Sequence, residues 1–219
     1  SDCISDVFPS DLLQIHETAN TRFDEKEYDF RVFSSPNELR DAIFEKNRKN
    51  NKARLVAGYC WDWVSKKDPK AFDIHIPPYN FNMRWNLASY GSLWLIDPNS
   101  VNEIGCIHTC QGLELDYVGV IIGPDLKTRQ GKVITDVSKR SRMDSSVKGF
   151  RKLLQEDDQA PAQRLDRIVK NTYRTLMTRG LKGCYIYCTD RDTELYFRSM
   201  IRSGEEYGEN DLLTLAAED

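Results

Sequence analysis

No apolar run in the 219 residues approaches the roughly 20 needed to cross a bilayer as a helix, and the first residues show no signal-peptide pattern. The expectation is a cytoplasmic chain with no membrane partner. The sequence has no G-x-x-x-x-G-K-[ST] phosphate loop and no G-x-G-x-x-G turn, so two common glycine-rich phosphate cradles are missing. A G-x-S-x-G elbow and a cysteine-protease signature are also missing, which leaves free-standing hydrolysis unsupported. Charge of one sign is not in excess: the net charge is −3, so any nucleic-acid binding must come from a local patch. No C-x2-C pair occurs. The six cysteines (Cys3, Cys60, Cys106, Cys110, Cys184, Cys188) sit in apolar segments and read as buried cytosolic thiols, not a disulfide framework. Cys106/Cys110 and Cys184/Cys188 share a four-residue spacing that would put each pair on one face of a strand, with His108 between the first two. A Zn or Fe–S site is the competing reading there; the unusual spacing and the frequency of cysteine in cores stand against it, and no metal site is assigned.

What is present is a foldable composition, 40% hydrophobic and 30% charged, with the length of one large domain or a domain carrying an insertion. Asp29–Phe33 reads as a strand. Ser35 as N-cap, Pro36 and Glu38 then start a helix with Leu39, Ile43 and Phe44 at helical spacing, closed by Arg48, Lys49 and a run of Asn. Arg54–Cys60 is a buried strand, and strand, helix, strand suggests a βαβ unit in a parallel sheet. Trp61-Asp62-Trp63 follows at the strand's C-terminal end, where tryptophans serve as packing anchors or as base-stacking platforms. Residues 64–103 read as irregular; within them Arg84 beside Trp85 is a phosphate-binding candidate or one half of a surface ion pair.

A β-like run from Glu103 to His108 enters the segment Ile107-His108-Thr109-Cys110-Gln111-Gly112-Leu113-Glu114, and a second run leaves it from Tyr117 to Ile122. Gly112 lets the backbone approach a phosphate or take φ > 0. Gln111 and Glu114 offer hydrogen bonds to phosphate and ribose, and His108 and Thr109 can donate to a nucleic-acid backbone. An ordinary strand end with a turn accounts for the same residues. Gly123-Pro124-Asp125 stops the strand, and the Gly-Pro pair argues against a metal-binding role for Asp125. From Lys127 to Lys152 the chain carries nine basic residues, with Asp136 and Asp144 as the acidic ones. That window is either a solvated, mobile insertion or an electrostatic footprint for nucleic-acid backbone. Residues 162–179 form a helix with Leu165, Ile168, Val169, Thr172, Leu176 and Met177 near one face. Cys184–Cys188 is a buried strand, and Asp190 starts a final helix.

Two segments together resemble superfamily 1 helicase motifs. His108-Thr109-Cys110-Gln111-Gly112-Leu113-Glu114 resembles motif V, and Tyr173-Arg174-Thr175-Leu176-Met177-Thr178-Arg179 resembles motif VI, which ends in Thr-Arg. Four blocks, Arg54–Trp63, Arg84–Ala88, Asn99–Asp125 and Asn171–Cys188, resemble the Schlafen group-3-like DNA/RNA helicase domain, an ATPase family of poorly defined function. The resemblance covers about residues 28–200.

It implies a three-layer α/β, RecA-like domain with a mainly parallel sheet, lacking its own phosphate loop because that loop belongs to a preceding RecA-like half. The expected organisation is a lead-in over 1–27, the RecA-like domain over 28–205 with a charged insertion at 126–160, and an acidic tail over 206–219. The implied function is the C-terminal motor half of an ATP-dependent helicase or translocase. Arg179 would be the arginine finger; Gln111, Gly112 and Glu114 would join it in binding ATP; His108, Thr109, Trp61 and Arg84 would contact nucleic acid. Gln111 stands where many relatives have lysine. ATP and Mg2+ would act in the intact protein, the metal being held by the other domain. The partners would be that domain and single-stranded DNA or RNA. The alternative is a non-catalytic nucleic-acid or protein binding module that keeps the fold. The chain opens at Ser1 without a methionine, which fits a piece of something longer.

Overall fold

A computed structural model describes residues 28–86, 94–110, 114–149 and 159–202. The expected lead-in, the acidic tail and the Gln111-Gly112 pair lie outside the described residues. The first three elements follow the sequence closely: β1 (Asp29–Phe33), α1 (Pro36–Asn50) and β2 (Ala53–Ala57). The Ser35 side chain accepts from the Asn37 N–H at 3.2 Å and Pro36 occupies the first turn, so the helix starts where its capping residues dictate. Asn51 ends it in the left-handed region (φ 59°), its N–H returning to the Asn47 carbonyl at 2.8 Å.

The remaining elements are β3 (Ile74–Ile76), β4 (Phe81–Trp85), β5 (Glu103–Gly105), α2 (Ile107–Cys110), β6 (Leu115–Ile122), β7 (Leu126–Arg129), β8 (Lys132–Thr135), α3 (Gln159–Met177), β9 (Gly180–Cys188) and α4 (Arg191–Arg202). Seven strands form one sheet in the order β1-β9-β6-β2-β5-β4-β3. Every pairing is parallel except β3 with β4. β1 and β2 therefore share a parallel sheet as expected, but β9 and β6 lie between them, and α1 crosses that gap.

Strand β6 shows why the layers form. Val118, Val120 and Ile122 face a core shared with Leu165, Val169 and Leu176 of α3 and Phe197 of α4. The intervening Ile121 faces the opposite core, with Leu39 and Ile43 of α1. A strand buried on both faces reads as an unbroken apolar run, and the two helical layers supply the two coverings. Gly119 is required under α1: a Cβ there would lie 2.6 Å from Ile43 Cγ1. The result is a three-layer mixed α/β fold. No helix among the described residues is long and apolar enough to cross a membrane.

Two expectations need correction. Residues 64–103 are not irregular throughout, since they contain the β3–β4 hairpin. Ile74, Ile76, Phe81, Met83 and Trp85 are buried, alternating with the exposed His75 and Asn82. Pro77-Pro78 forms a 3-10 turn ending at Asn80 (φ 48°), which joins two half-patterns that look unrelated in sequence. The 126–160 window is likewise not a merely solvated insertion. β7 and β8 make a tight hairpin over Gln130 (φ 52°) and Gly131 (φ 71°), the positive-φ pair that suits strand twist. The Thr193 hydroxyl accepts the Thr128 N–H at 2.8 Å, and Arg129 grips Asp190 through two 2.8 Å bonds, docking the hairpin on the start of α4.

Arg54 fixes the other end of the molecule. Its guanidinium is fully buried, and donates to Ser100 Oγ (2.9 Å), Asn47 Oδ1 (2.6 Å), Asn51 Oδ1 (2.9 Å) and the Leu95 carbonyl (2.9 Å). It joins the end of α1, the start of β2 and the 95–100 loop. Burial pulls its pKa down to about 10, partly opposed by Asp97. Arg54→Met would strand these acceptors, and a loss of roughly 3 kcal/mol or more is expected in urea denaturation. Hydrogen bonding from Arg129 holds the Asp190 carboxyl at about 2. A folded-state value below the unfolded ~3.9 contributes stability above that value, which is lost as pH falls through about 2. The melting temperature is expected to drop between ~pH 4 and ~pH 2 more steeply for the wild type than for Asp190→Asn, measured by calorimetry.

Candidate functional site

The site begins where β5 stops. The expected strand to His108 is corrected to a strand ending at Gly105, followed by one helical turn, α2. The Cys106 carbonyl accepts the N–H groups of Thr109 (3.0 Å) and Cys110 (3.1 Å), which turns the chain back on itself. Gly105 permits this because Cys110 Sγ lies 3.0 Å from where its Cβ would stand. The cysteine pair consequently splits: Cys106 enters one core cluster and Cys110 the other. Cys184 and Cys188, on a true strand, do share a face. No group of three or more His, Cys, Asp or Glu among the described residues is placed to hold a metal ion.

His108 is exposed on α2. The Thr109 hydroxyl donates to Asn86 Oδ1 at 2.7 Å, tying α2 to the end of β4. Cys110 is buried among the residues of α3, and burial pushes its thiol well above its usual range, opposed in part by the nearby Arg179 charge. Arg179 stands between the end of α3 and the start of β9. Its Nε donates to the Thr175 carbonyl at 3.1 Å, and no carboxylate among the described residues pairs with its guanidinium. Its carbonyl accepts the Leu115 N–H at 3.1 Å, so the exposed Glu114, one residue earlier, stands at the same rung as Arg179. The segment from 106 to 114 thus starts at the C-terminal end of β5 and finishes at the N-terminal end of β6, beside Arg179.

The other candidates are placed differently. Trp61 is half-buried after β2 and packs against the core, its carbonyl accepting from Trp85 Nε1 at 3.2 Å. Arg84 donates to the Ala71 (3.0 Å) and Lys70 (3.2 Å) carbonyls and lies over Phe72, so its guanidinium braces a loop; the ion-pair alternative is not what holds it. Gln111 and Gly112 cannot be placed, lying outside the described residues.

Sequence reasoning missed a buried polar cluster at the C-terminal edge of the sheet. Tyr173 donates to Asp125, and its oxygen accepts the Gly123 N–H at 2.9 Å. Asp125 also pairs with Arg140 at 3.0 Å, and Arg140 pairs with Asp144, all three side chains being fully buried. In the sequence Arg140 is one of the nine basic residues of the 127–152 window, and the Gly-Pro pair argues against a metal-binding role for Asp125. The available signals were the i,i+4 spacing of Arg140 and Asp144, and the position of Asp125 directly after the most apolar strand. Burial raises the Tyr173 hydroxyl, with Asp125 adding to the effect, so it remains a donor. The cluster closes one side of a cleft of about 900 Å3, reached from Trp61 and the 138–149 segment.

Residues 7–190 match the family model described as Schlafen group 3, DNA/RNA helicase domain. The chain belongs to that family. The match spans every candidate site residue, including the motif-V-like and motif-VI-like segments. Over 167 residues the chain is also 26% identical to an uncharacterized protein of Saccharomyces cerevisiae, covering 75% of this chain and 35% of that one. The chain spans about a third of that relative's length. No solved structure matches it. Within this Schlafen group 3 helicase-domain chain, Tyr173→Phe leaves Asp125 and the Gly123 N–H short of a partner. It is expected to cost roughly 1–3 kcal/mol in chemical denaturation while leaving secondary structure by circular dichroism intact.

Proposed function

We propose that the chain is the C-terminal, RecA-like motor half of an ATP-dependent DNA/RNA helicase or translocase, completing an ATP site with a preceding domain that carries the phosphate loop. The observation that supports this best is the rung formed by the Leu115 N–H and the Arg179 carbonyl. It holds Glu114 and Arg179, the last residues of two separate helicase-like segments, side by side at one end of the sheet. In this reading Arg179 is the arginine finger. Its Nε is anchored to the Thr175 carbonyl, and its planar fork suits charge developing on a transferring phosphoryl group. Glu114 accepts from a ribose hydroxyl. Gln111 and Gly112 approach the phosphates, with Gln111 as a neutral donor. In this reading Mg2+ is held by the other domain.

At the far end of the same segment, exposed His108 donates to the nucleic-acid backbone. Thr109 positions α2 through Asn86, Trp61 offers a ring face, and Arg84 shapes the neighbouring loop. One short stretch of chain therefore links the nucleotide end to the strand end, a physical basis for coupling ATP state to movement. The domain limits proposed above, with 28–205 as one unit, follow from this reading.

The test is ATP turnover in the full-length protein. Arg179→Ala is expected to lower kcat by about 10³-fold or more, and the isolated chain should not turn over ATP at helicase-like rates. A silent Arg179→Ala would favour the non-catalytic binding module; fast hydrolysis by the isolated chain would sink the motor-half reading.

A further inference from the structure

Three cations line the C-terminal-edge cleft without a task in the ATP reading. Lys139, Arg142 and Lys148 are exposed on its rim, and none pairs with a carboxylate among the described residues. Arg140, between them in sequence, has its charge met by Asp125 and Asp144 inside the protein. Asp62, the acid on the same rim, is held by the Ser141 hydroxyl at 2.6 Å. The wall that carries the cations is fixed, not loose. The Ser141 N–H donates to the Tyr59 carbonyl at 2.9 Å, and Met143 Sδ accepts the Trp63 N–H at 3.3 Å. Trp61, partly exposed, lines the same cleft, with its carbonyl tied to Trp85; the residue after Trp85, Asn86, holds Thr109 of α2.

We propose that this cleft seats single-stranded nucleic acid, with backbone phosphates on Lys139, Arg142 and Lys148 and a base against Trp61. The proposal deepens the helicase reading and rests on it, by naming where the strand lies on this half of the motor. A cavity of about 900 Å3 accommodates a nucleotide-sized group. Spaced cations track a polyanion, and an indole face stacks on any base, which is the pairing that sequence-tolerant single-strand binders use. A free anion would need neither the spread of charge nor the ring. The route onward is continuous: Trp61 touches Trp85, Asn86 follows it, and α2 presents His108 on the same edge of the sheet.

The experiment is fluorescence anisotropy of the 219-residue chain with labelled oligo-dT and oligo-U, without nucleotide, over a series of salt concentrations. Loss of three phosphate contacts predicts that the triple variant Lys139→Ala, Arg142→Ala, Lys148→Ala lowers the slope of log K against log salt by about 2. Trp61→Ala should weaken binding about tenfold with the slope unchanged, and Trp61→Tyr should restore it, which separates stacking from a folding defect. Arg48→Ala with Lys49→Ala, at the end of α1, should change the slope little. Tighter binding of oligo-U than oligo-dT would identify RNA as the strand, and the reverse DNA. If the wild type binds and the triple variant keeps its slope, the cleft assignment is overturned while the motor reading stands. If the wild type binds neither oligonucleotide, the strand-binding part of both is overturned.

Discussion

A single phenol joins the parts of this fold that differ most in character. Tyr173 comes from the regular helix α3, yet its hydroxyl lies where β2 and β6 end, bonded to the Gly123 N–H and to Asp125. Asp125 passes the connection to Arg140, and Arg140 to Asp144, so a segment with little regular structure is held by ionic contacts inside the protein. Buried charges of this kind are costly unless each is met, and here the arginine has two carboxylates and one of those has a phenol. What they provide is placement: the cationic wall of the cleft stands on them, and the same helix leads into Thr178-Arg179 at the start of β9.

Much of the scaffold was legible in the residues. The cap at Ser35-Pro36, the strand at Asp29–Phe33 and the buried run in β6 carry local signals strong enough to place them. The strand order was not legible, because parallel strands are brought together by layers and not by turns. β9 inserts between β1 and β6 with nothing in its own sequence to announce it. The β3–β4 hairpin was missed because each strand is short and a double proline separates them. The early end of β5 was missed because alternation continues to His108 on paper; only Gly105 marks the place where Cys110 folds back.

The candidate site divides along the same line. Residue chemistry around the turn singled out Glu114, His108 and Thr109, and resemblance to helicase motifs added Arg179; the fold places Glu114 and Arg179 at one rung and His108 and Thr109 on one short helix. It did not supply Arg140 or Asp125. Charge counting treats every arginine alike, and an arginine buried between carboxylates looks the same in sequence as one in water. Trp61 gained a clearer part: its carbonyl anchors Trp85, and the residue, partly exposed, lines the cleft.

Gly58 lies directly against the Tyr173 phenol. A Cβ at that position would stand 2.0 Å from the Tyr173 hydroxyl oxygen. No rotamer choice at 58 relieves this, since the Cβ position is set by the backbone, so the tyrosine would have to give way. The two positions, far apart in the chain, are therefore sterically coupled. Removing the hydroxyl alone would not make room, since the ring carbon Cζ would also lie 2.5 Å from that Cβ; a larger residue at 58 requires the whole ring at 173 to move or to be replaced by a smaller side chain.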